Sequence, residues 1–265
     1  MRALITGCST GIGRAAALEL TKRGFEVIAT ARRPEALEDL EVAERLQLDV
    51  TDQKSVDAAV KAAGQIDVLV NNAGIGVGGP IEKVPLAEVQ RLFDTNVWGC
   101  VRMIHAVVPQ MRERGSGVIV NVTSVAGRVS SPLGGYYSSS KYAMEAISEA
   151  LHYECNHFGI KVRVVEPGGF ETNIQDNGRV FGEDEPPYDE LQREWEKAQS
   201  SFMGTGGVRP GPEPVAQVIA DAIEFEGAKL RWPVGDDADL IFSVRSQMND
   251  EDFESTMRQT LGLTW

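Results

Sequence analysis

The first two-thirds of the chain alternates between short apolar runs and longer stretches in which apolar residues recur every three or four positions. The runs are rich in Val and Ile, and Gly, Asp or Asn residues bound most of them. That pattern is typical of strands buried on both faces of a parallel sheet. The runs lie at residues 3–6, 26–31, 46–50, 66–71, 117–123 and 161–167.

The stretches between these runs have the spacing of helices that bury one face. Ala16 and Leu20 stand four residues apart, and Gly24 ends that stretch as a helix stop. The longest stretch covers residues 86–115 and predicts a long helix that begins near Leu86. Strands that alternate with helices predict βαβ units with right-handed crossovers, which place helices on both faces of the sheet.

The fold class expected is therefore α/β, as a single domain over residues 1–265 with a Rossmann-type doubly wound parallel sheet. Residues 173–214 break the alternation, because they are rich in Gly and Pro yet also contain aromatic residues. Long insertions of this kind are usually functional, so a substrate-binding lid is expected there. The alternative is a surface excursion that packs on the domain without covering a site.

Composition excludes several classes of function. The net charge of −13 and pI near 4.8 disfavour binding to a phosphate backbone, so no nucleic acid partner is expected. Neither a signal-length apolar run at the N-terminus nor an 18-residue apolar segment is found, so no membrane association is expected. The three cysteines are widely spaced and form no CxxC motif, so neither disulfides nor a metal site is expected. Free cysteines of this kind predict a cytoplasmic location.

A glycine-rich loop, "TGCSTGIG" at residues 6–13, directly follows the first strand and precedes a helix. Gly7, Gly11 and Gly13 permit a tight turn and a close backbone approach to a pyrophosphate. The N-terminus of the next helix supplies free N–H groups and the positive end of a dipole. The glycine spacing departs from the common Gly-x-Gly-x-x-Gly fingerprint. The prediction of a pyrophosphate site therefore rests mainly on the position of the loop between a strand and a helix.

Tyr137 and Lys141 stand four residues apart and share one face of a predicted helix. The neighbouring Tyr136 has Ser140 at the same offset, so Tyr137 is the candidate proton donor. A nearby ammonium favours a phenolate, and we expect it to lower the pKa of Tyr137 from about 10 towards neutrality. Taken alone, the pair would be more typical of a solvated helix surface.

Together these motifs resemble the short-chain dehydrogenase/reductase family. The matching segments, in the family's order, are "TGCSTGIG", "NNAG" at residues 71–74, "NVWG" from Asn96, "NVTS" ending at Ser124, the Tyr137–Lys141 pair and "PGGFET" at residues 167–172. The resemblance covers roughly residues 2–172. It implies a sheet of about seven parallel strands, a nicotinamide cofactor and a small-molecule substrate.

The resemblance also implies roles for individual residues. Tyr137 is the acid, Ser124 is a second hydrogen-bond donor to the developing oxyanion, and Lys141 binds the nicotinamide ribose. Asn96 anchors a water linked to the lysine and props the helix backbone. Without the family context, Ser124 would be a strand-end hydroxyl and Asn96 a helix residue bonded to backbone. The expected cofactor contacts are Thr6, Gly7, Ser9, Gly11, Ile12, Gly13, Arg32, Asp49, Val50, Asn72, Ala73, Gly74, Pro167, Gly168 and Thr172.

The end of the second strand distinguishes NAD from NADP. An acidic residue there binds ribose hydroxyls, whereas arginine pairs with a 2′-phosphate. The segment "IATARRP" has Ala31 at the acidic position and then Arg32 and Arg33. NADP is therefore the expected cofactor and NAD is possible, the alternative being that the arginines are solvated surface charges.

The leading interpretation is an NADP-dependent reductase of an apolar ketone or aldehyde, reversible as an alcohol dehydrogenase. The alternatives are a non-catalytic nucleotide-sensing protein that retains the fold and an NAD-preferring alcohol dehydrogenase. An apolar substrate is suggested by Phe170, Phe181, Trp195, Phe202 and Met203, and local phrases are similar to steroid- and retinol-type members. A homodimer or homotetramer is expected through the helices beginning near Leu86 and Tyr137.

Overall fold

The computed structural model describes residues 1–172, 174, 178–182, 185–202 and 209–265. The strands are β1 (Arg2–Ile5), β2 (Glu26–Ala31), β3 (Glu44–Gln47), β4 (Val68–Asn71), β5 (Val77–Gly78), β6 (Gly117–Val122), β7 (Ile160–Pro167), β8 (Arg179–Val180) and β9 (Arg231–Val234). The α-helices are α1 (Gly11–Lys22), α2 (Gln53–Ala63), α3 (Leu86–Phe93), α4 (Gly99–Arg114), α5 (Gly135–Asn156), α6 (Asp189–Phe202), α7 (Glu213–Glu224), α8 (Asp236–Gln247) and α9 (Asp250–Leu261). Short 3-10 turns lie at Pro34–Leu37 and Val125–Gly127.

Seven strands form one sheet in the order β3-β2-β1-β4-β6-β7-β9, and every pair in it is parallel. β1 stands between β2 and β4, so the chain winds outwards in both directions from β1. The strand order reverses there, which makes the carboxyl end of β1 a topological switch point. The predicted doubly wound α/β fold is confirmed.

The core consists of two apolar layers, one on each face of the sheet. Along β1 the side chains alternate, with Ala3 and Ile5 in one layer and Leu4 in the other. The first layer is covered by α1 and α7, and the second by α2, α4 and α5. Burying one Leu or Ile side chain contributes about 1.5–3 kcal/mol, so strands that bury both faces must be apolar throughout their length.

The two edge strands depart from the expected pattern. β3 spans Glu44–Gln47, earlier than the predicted 46–50, and its side chains alternate between half-buried and exposed. The expectation of burial on both faces is wrong for this strand because it pairs only with β2. β9 (Arg231–Val234) is not among the predicted runs, and it contains Pro233. Proline is tolerated there because β9 pairs only with β7, so no second neighbour needs its missing N–H.

The long helical stretch from Leu86 is divided by a π-helical turn, Asp94–Trp98, between α3 and α4. Such turns widen the helix locally and occur often at functional sites. The π-helical turn of this protein contains Asn96, which is buried. Helical periodicity predicts the stretch as a whole, but an extra residue in one turn leaves no mark on the pattern.

Helix α6 lies in the segment expected to form a lid, and the chain terminus is bound to it. The carboxylate of Glu194 accepts hydrogen bonds from the backbone N–H groups of Thr264 at 2.8 Å and Trp265 at 3.2 Å. The rings of Tyr188 and Trp265 stand 6.0 Å apart. The last residues therefore hold α6 in place over the sheet edge that carries the cleft described next.

Candidate functional site

A cleft of about 1020 Å³ opens at the carboxyl ends of the parallel strands. The loops that follow β1, β2, β4, β6 and β7 line it together with α5 and α6, the position at which ligands bind in open α/β sheets. We distinguish a glycine-loop wall, formed by Gly7, Ser9, Gly11, Ile12, Asn72, Ala73 and Gly74, from an apolar wall, formed by Ile75, Val77, Leu133, Phe170, Phe181 and Trp195.

Two positions of the glycine loop leave no room for a side chain. Gly7 has a φ of +74°, and a Cβ there would lie 2.9 Å from Ala73 Cα. A Cβ on Gly13 would lie 2.3 Å from the Gly7 carbonyl oxygen and 2.4 Å from Asn72 Nδ2. These separations are shorter than van der Waals contact, so only glycine allows α1 to begin directly against the loop.

The N-terminus of α1 faces the cleft with donors available. Gly11 and Ile12, the first two residues of α1, line the cleft. Thr10 precedes the helix and makes no side-chain hydrogen bond to it. The first N–H groups of α1 are thus left for a ligand, and with the helix dipole they favour an anion.

Thr6 and Gly13, at the two ends of the glycine loop, do not line the cleft, whereas both are among the predicted cofactor contacts. Thr6 Oγ1 accepts hydrogen bonds from the backbone N–H groups of Asn72 at 2.9 Å and Ala73 at 3.0 Å. Asn72 Nδ2 in turn donates to the carbonyl oxygens of Thr6 at 2.9 Å and Gly7 at 3.2 Å. This network joins the end of β4 to the loop, so Thr6 and Gly13 hold the wall in shape.

Two arginines follow β2 on the cleft wall. Arg32 and Arg33 are exposed and line the cleft. Within the described ranges neither side chain forms an ion pair, although the chain carries a net charge of −13. Asp49 and Val50 line the cleft beyond β3, and Asp49 Oδ1 accepts from Thr51 N at 2.9 Å and Thr51 Oγ1 at 2.7 Å. An anionic ligand reaching this end would meet positive charge.

The structure brings Ser124, Tyr137 and Lys141 together on the cleft wall. Ser124 follows β6, and its Oγ donates to the Pro167 carbonyl at 3.3 Å. The Ser124 side chain is also hydrogen-bonded to Tyr137. One turn further along α5, Lys141 Nζ donates to the Val122 carbonyl at 3.0 Å and lies 5.7 Å from the centre of the Tyr137 ring. A hydroxyl, a phenol and an ammonium therefore converge within one site.

Burial dominates the titration of this group. It raises the pKa of Tyr137 to about 12, against the opposing effect of the Ser124 hydrogen bond. It lowers the pKa of Lys141 to about 8, against the opposing effects of Cys100 and Glu145. The expectation that Lys141 draws the pKa of Tyr137 down is wrong for this arrangement, because the ammonium lies beside the ring and donates to a backbone carbonyl. Tyr137 therefore carries its proton at neutral pH.

Asn96 lies behind the cleft wall and does not reach the groups on it. Its Oδ1 accepts from Ile75 N at 2.9 Å, and its Nδ2 donates to Ile75 O at 3.0 Å and Ser140 Oγ at 3.1 Å. A void of about 10 Å³ separates Asn96 from Lys141, which is roughly the space that one water needs. The amide fixes the backbone where the apolar wall begins.

The loop after β7 is held by a residue that no motif indicated. Pro167, Gly168 and Thr172 line the cleft. Asp237, in the first turn of α8, accepts a hydrogen bond from Gly169 N at 2.6 Å, and a Cβ on Gly168 would lie 2.1 Å from its Oδ1. The acidic start of α8 was the only local signal, and it is equally typical of any helix N-terminus.

Of the five residues expected to make the site apolar, Phe170, Phe181 and Trp195 line the cleft. Met203 and the side chain of Phe202 lie outside the described part of the chain. Leu133 belongs to the apolar wall without having been predicted, and it has a φ of +60°. This value is strained for a residue with a Cβ, and the Leu133 carbonyl accepts from Gly79 N at 2.8 Å.

Comparison with known proteins gives consistent matches. A family model described as short chain dehydrogenase matches residues 1–180. The chain is similar to the uncharacterised oxidoreductase YusZ of Bacillus subtilis, with 36% identity over 274 residues that cover 98% of each protein. It is also 42% identical over 181 residues to the 3-ketodihydrosphingosine reductase of Bacteroides thetaiotaomicron, covering 67% of this chain and 66% of that protein.

Solved structures resemble the chain along most of its length. A short-chain dehydrogenase from Streptomyces avermitilis has a TM-score of 0.80 and 38% identity, with 98% of each chain covered. ElxO with NADP bound has a TM-score of 0.72 and 26% identity, covering 88% of this chain and 96% of its own. The 3-ketoacyl-(acyl-carrier-protein) reductase from Brucella melitensis complexed with NADH has a TM-score of 0.73 and 25% identity, covering 88% and 95%.

Proposed function

This chain belongs to the short-chain dehydrogenase family, and on that premise we propose that it transfers a hydride between NADP(H) and the carbonyl carbon of an apolar ketone or aldehyde. It is a nicotinamide-dependent oxidoreductase acting on CH–OH groups. The observation that carries the proposal is the convergence of Ser124, Tyr137 and Lys141 on a cleft that also contains the glycine loop.

The residues of the glycine-loop wall fit a dinucleotide. The missing side chains at Gly7 and Gly13 bring the loop backbone and the N-terminus of α1 close to the cleft, where a pyrophosphate would be bound. Arg32 and Asp49 would hold the adenosine end. When bound, the cofactor supplies or accepts the hydride.

The side chains of the reaction centre, formed by Ser124, Tyr137 and Lys141, have separate roles in the transfer. Charge develops on the carbonyl oxygen as the hydride arrives, and Tyr137, protonated at neutral pH, donates its proton there. Ser124 contributes a second hydroxyl, which the Pro167 carbonyl orients. Lys141 would bind the nicotinamide ribose as an ammonium donor, and Asn96 holds the backbone of Ile75 in place.

Replacing Arg32 by alanine should weaken NADPH binding roughly ten- to a hundredfold and leave NADH binding nearly unchanged. A charge-assisted contact to the 2′-phosphate is worth about 1.5–3 kcal/mol, and NADH lacks that phosphate. Dissociation constants for both cofactors, measured by quenching of protein fluorescence, give the ratio. Arg33→Ala is the matched comparison, because Arg33 is also exposed and also lines the cleft. If Arg32→Ala weakened the binding of NADPH and NADH equally, Arg32 would not be the residue that binds the 2′-phosphate.

An apolar substrate is supported by the apolar wall, and by relatives such as the 3-ketodihydrosphingosine reductase of Bacteroides thetaiotaomicron. NADPH oxidation with a panel of long-chain, cyclic and small polar carbonyl compounds tests this directly, and we expect the highest kcat/KM for the apolar members. Retained NADPH binding without turnover of any compound would favour a nucleotide sensor. A higher kcat/KM with NADH would favour the NAD-preferring alternative.

Residues 173–214 are proposed to form a lid over the apolar wall. Trp195 and Gln192 of α6 line the cleft, and Glu194 is bound by the backbone of the chain terminus. A bound substrate would therefore contact α6 directly. Proteolytic cleavage within residues 173–214 should slow when a substrate analogue is added, and an unchanged rate would argue against a lid.

A homodimer or homotetramer is proposed as well, through a face of the predicted interface helices that does not cover the sheet. Leu92, Met144 and Leu151, on the helices expected to form it, are buried in the core. Trp98 and Tyr153, on the same helical layer, are 52% and 74% exposed, and large exposed aromatic residues are typical of interfaces. Sedimentation equilibrium at micromolar concentration should give a multiple of the 28.8 kDa chain mass. A single species at that mass would end the proposal.

The surroundings proposed are a reducing cytoplasm without nucleic acid partners. Cys8, Cys100 and Cys155 are buried and free, as in a reducing compartment. Among the helices of the described residues, none has the length and apolar character to cross a membrane. Cell fractionation with an antibody against the chain tests the location.

A further inference from the structure

Two buried glutamates lie directly behind the reaction centre, and the mechanism above uses neither. Glu145 is 5% exposed and Glu166 is fully buried, although carboxylates are seldom buried unless they are paired. Glu145 lies on α5, one turn beyond Lys141 and on the same helix face. Glu166 is the penultimate residue of β7, directly before Pro167.

Both oxygens of Glu145 are bound, and the bonds reach two other elements. Oε1 accepts from Thr123 Oγ1 at 2.6 Å, and Oε2 accepts from Arg231 Nε at 3.0 Å. Thr123 directly precedes Ser124, while Arg231 begins β9. A single carboxylate therefore joins the helix that carries Lys141 to the strand end that carries Ser124.

Arginines from two other elements approach the carboxylates of this region. Arg231, from β9, also binds Glu149 of α5 at 2.5 Å. Arg128, directly after the 3-10 turn Val125–Gly127, approaches Glu166 Oε1 at 3.4 Å. Glu166 Oε2 is buried and, within the described residues, has no hydrogen-bond partner.

Glu166 exchanges its proton near neutral pH. Burial, followed by the negative charge of Glu145, raises the pKa of Glu166 to about 7. Cys100 of α4 and Glu145 both raise the pKa of the Lys141 ammonium against the effect of burial. The Cys100 thiol keeps its proton because burial raises its own pKa to about 12, which leaves the Glu145 carboxylate as the charged group of the two.

We propose that Glu145 is a positioning residue of the reaction centre, which holds Ser124 and Lys141 in register and supplies the negative charge that keeps Lys141 protonated. The inference rests on the proposed function, because it assigns work to Lys141 as a cation. It adds a residue outside the cleft wall to the groups that determine the rate and its pH dependence.

Glu145→Gln is a nearly isosteric change that tests both the positioning of Ser124 and Lys141 and the effect of the negative charge. The amide can keep both contacts, because its oxygen can accept from Arg231 while its N–H₂ group donates to Thr123 Oγ1, whose own proton then goes to the Val165 carbonyl at 3.2 Å. The change therefore removes the charge and reverses the bond to Thr123. We expect kcat to fall roughly tenfold or more. Since the charge of Glu145 raises the pKa of Lys141, its removal should start the alkaline fall in activity at a lower pH than in the wild type.

Two further comparisons separate the bond from the charge. Thr123→Val removes the hydroxyl but leaves the carboxylate, so kcat should fall without a shift of the alkaline limb, and Thr123→Ser should recover most of the loss. Glu149→Gln is the matched control, because Glu149 shares Arg231 and α5 but is 49% exposed at its side chain. Its kcat should stay within about twofold of the wild type, as expected for an exposed ion pair.

Different outcomes would overturn the positioning role of Glu145 and the proposed function on which it rests. Wild-type kcat and an unshifted pH profile in Glu145→Gln overturn the positioning role, as does an equal shift in Glu149→Gln. If Glu145→Gln does not fold, as judged by circular dichroism, the Thr123 pair decides, and equal kcat values for the Val and Ser variants overturn the role. Activity retained by Tyr137→Phe would instead remove the proposed function itself.

Discussion

Tyr137→Phe should reduce carbonyl reduction by about a thousandfold or more, while the NADPH dissociation constant stays within about twofold of the wild type. General acid catalysis contributes roughly 10²–10⁴-fold, and a donor to the developing oxyanion adds to it. The phenol hydroxyl supplies both, whereas the ring that packs beside Lys141 is kept. Steady-state NADPH oxidation and a fluorescence titration with NADPH give the two quantities.

Tyr136→Phe is the matched control for that loss. The two tyrosines are adjacent on α5, but the Tyr136 hydroxyl donates to the Ile81 carbonyl at 3.3 Å and its ring packs in a small apolar cluster. Its removal should cost at most about 1 kcal/mol of stability and change kcat less than twofold. Comparable losses in both variants would show that the acid was assigned to the wrong tyrosine.

Gly13→Ala should nearly abolish cofactor binding and strongly destabilise the protein. The added Cβ would meet the Gly7 carbonyl oxygen at 2.3 Å and Asn72 Nδ2 at 2.4 Å. Asn72 cannot turn away without losing its bonds to the carbonyls of Thr6 and Gly7, so the loop backbone itself must shift. We expect a loss of about 3 kcal/mol or more in the free energy of unfolding, and a dissociation constant for NADPH raised about a hundredfold.

Gly24→Ala provides the control at the other end of α1. Gly24 has a φ of +84°, but a Cβ there meets nothing within 4 Å. The left-handed conformation costs a residue with a side chain about 1–2 kcal/mol, and the cleft is untouched. Urea unfolding and cofactor titration of both variants should give two destabilised proteins, of which only Gly13→Ala binds NADPH poorly. If Gly13→Ala and Gly24→Ala bound NADPH with equal affinity, the glycine loop would not be part of the cofactor site.

The interior of the fold could be predicted from the sequence because its physical requirement is local. A strand buried on both faces must be apolar throughout, so β1, β2, β4, β6 and β7 are visible as short apolar runs. An edge strand carries no such requirement. β3 alternates because one side of it is solvated, and β9 tolerates Pro233 because it has a single neighbour.

The candidate site divides in the same way. Tyr137 and Lys141 can be selected from their spacing on one helix, and the glycine loop from its place between a strand and a helix, since both depend on near neighbours in the chain. The tertiary structure alone decided the positions of Asn96 behind the cleft wall and of Asp237 under the β7 loop, and the contact of Glu145 with Thr123 after β6.

Titration is the clearest case of what the sequence by itself left undetermined. The spacing of Tyr137 and Lys141 suggested a phenol with a lowered pKa, yet packing raises that pKa to about 12 and lowers that of Lys141 to about 8. Four residues along a helix determine that the two side chains can meet. How much water each has lost, and which groups replace it, depends on residues as distant in the chain as Cys100 and Val122, and only the assembled fold brings them together.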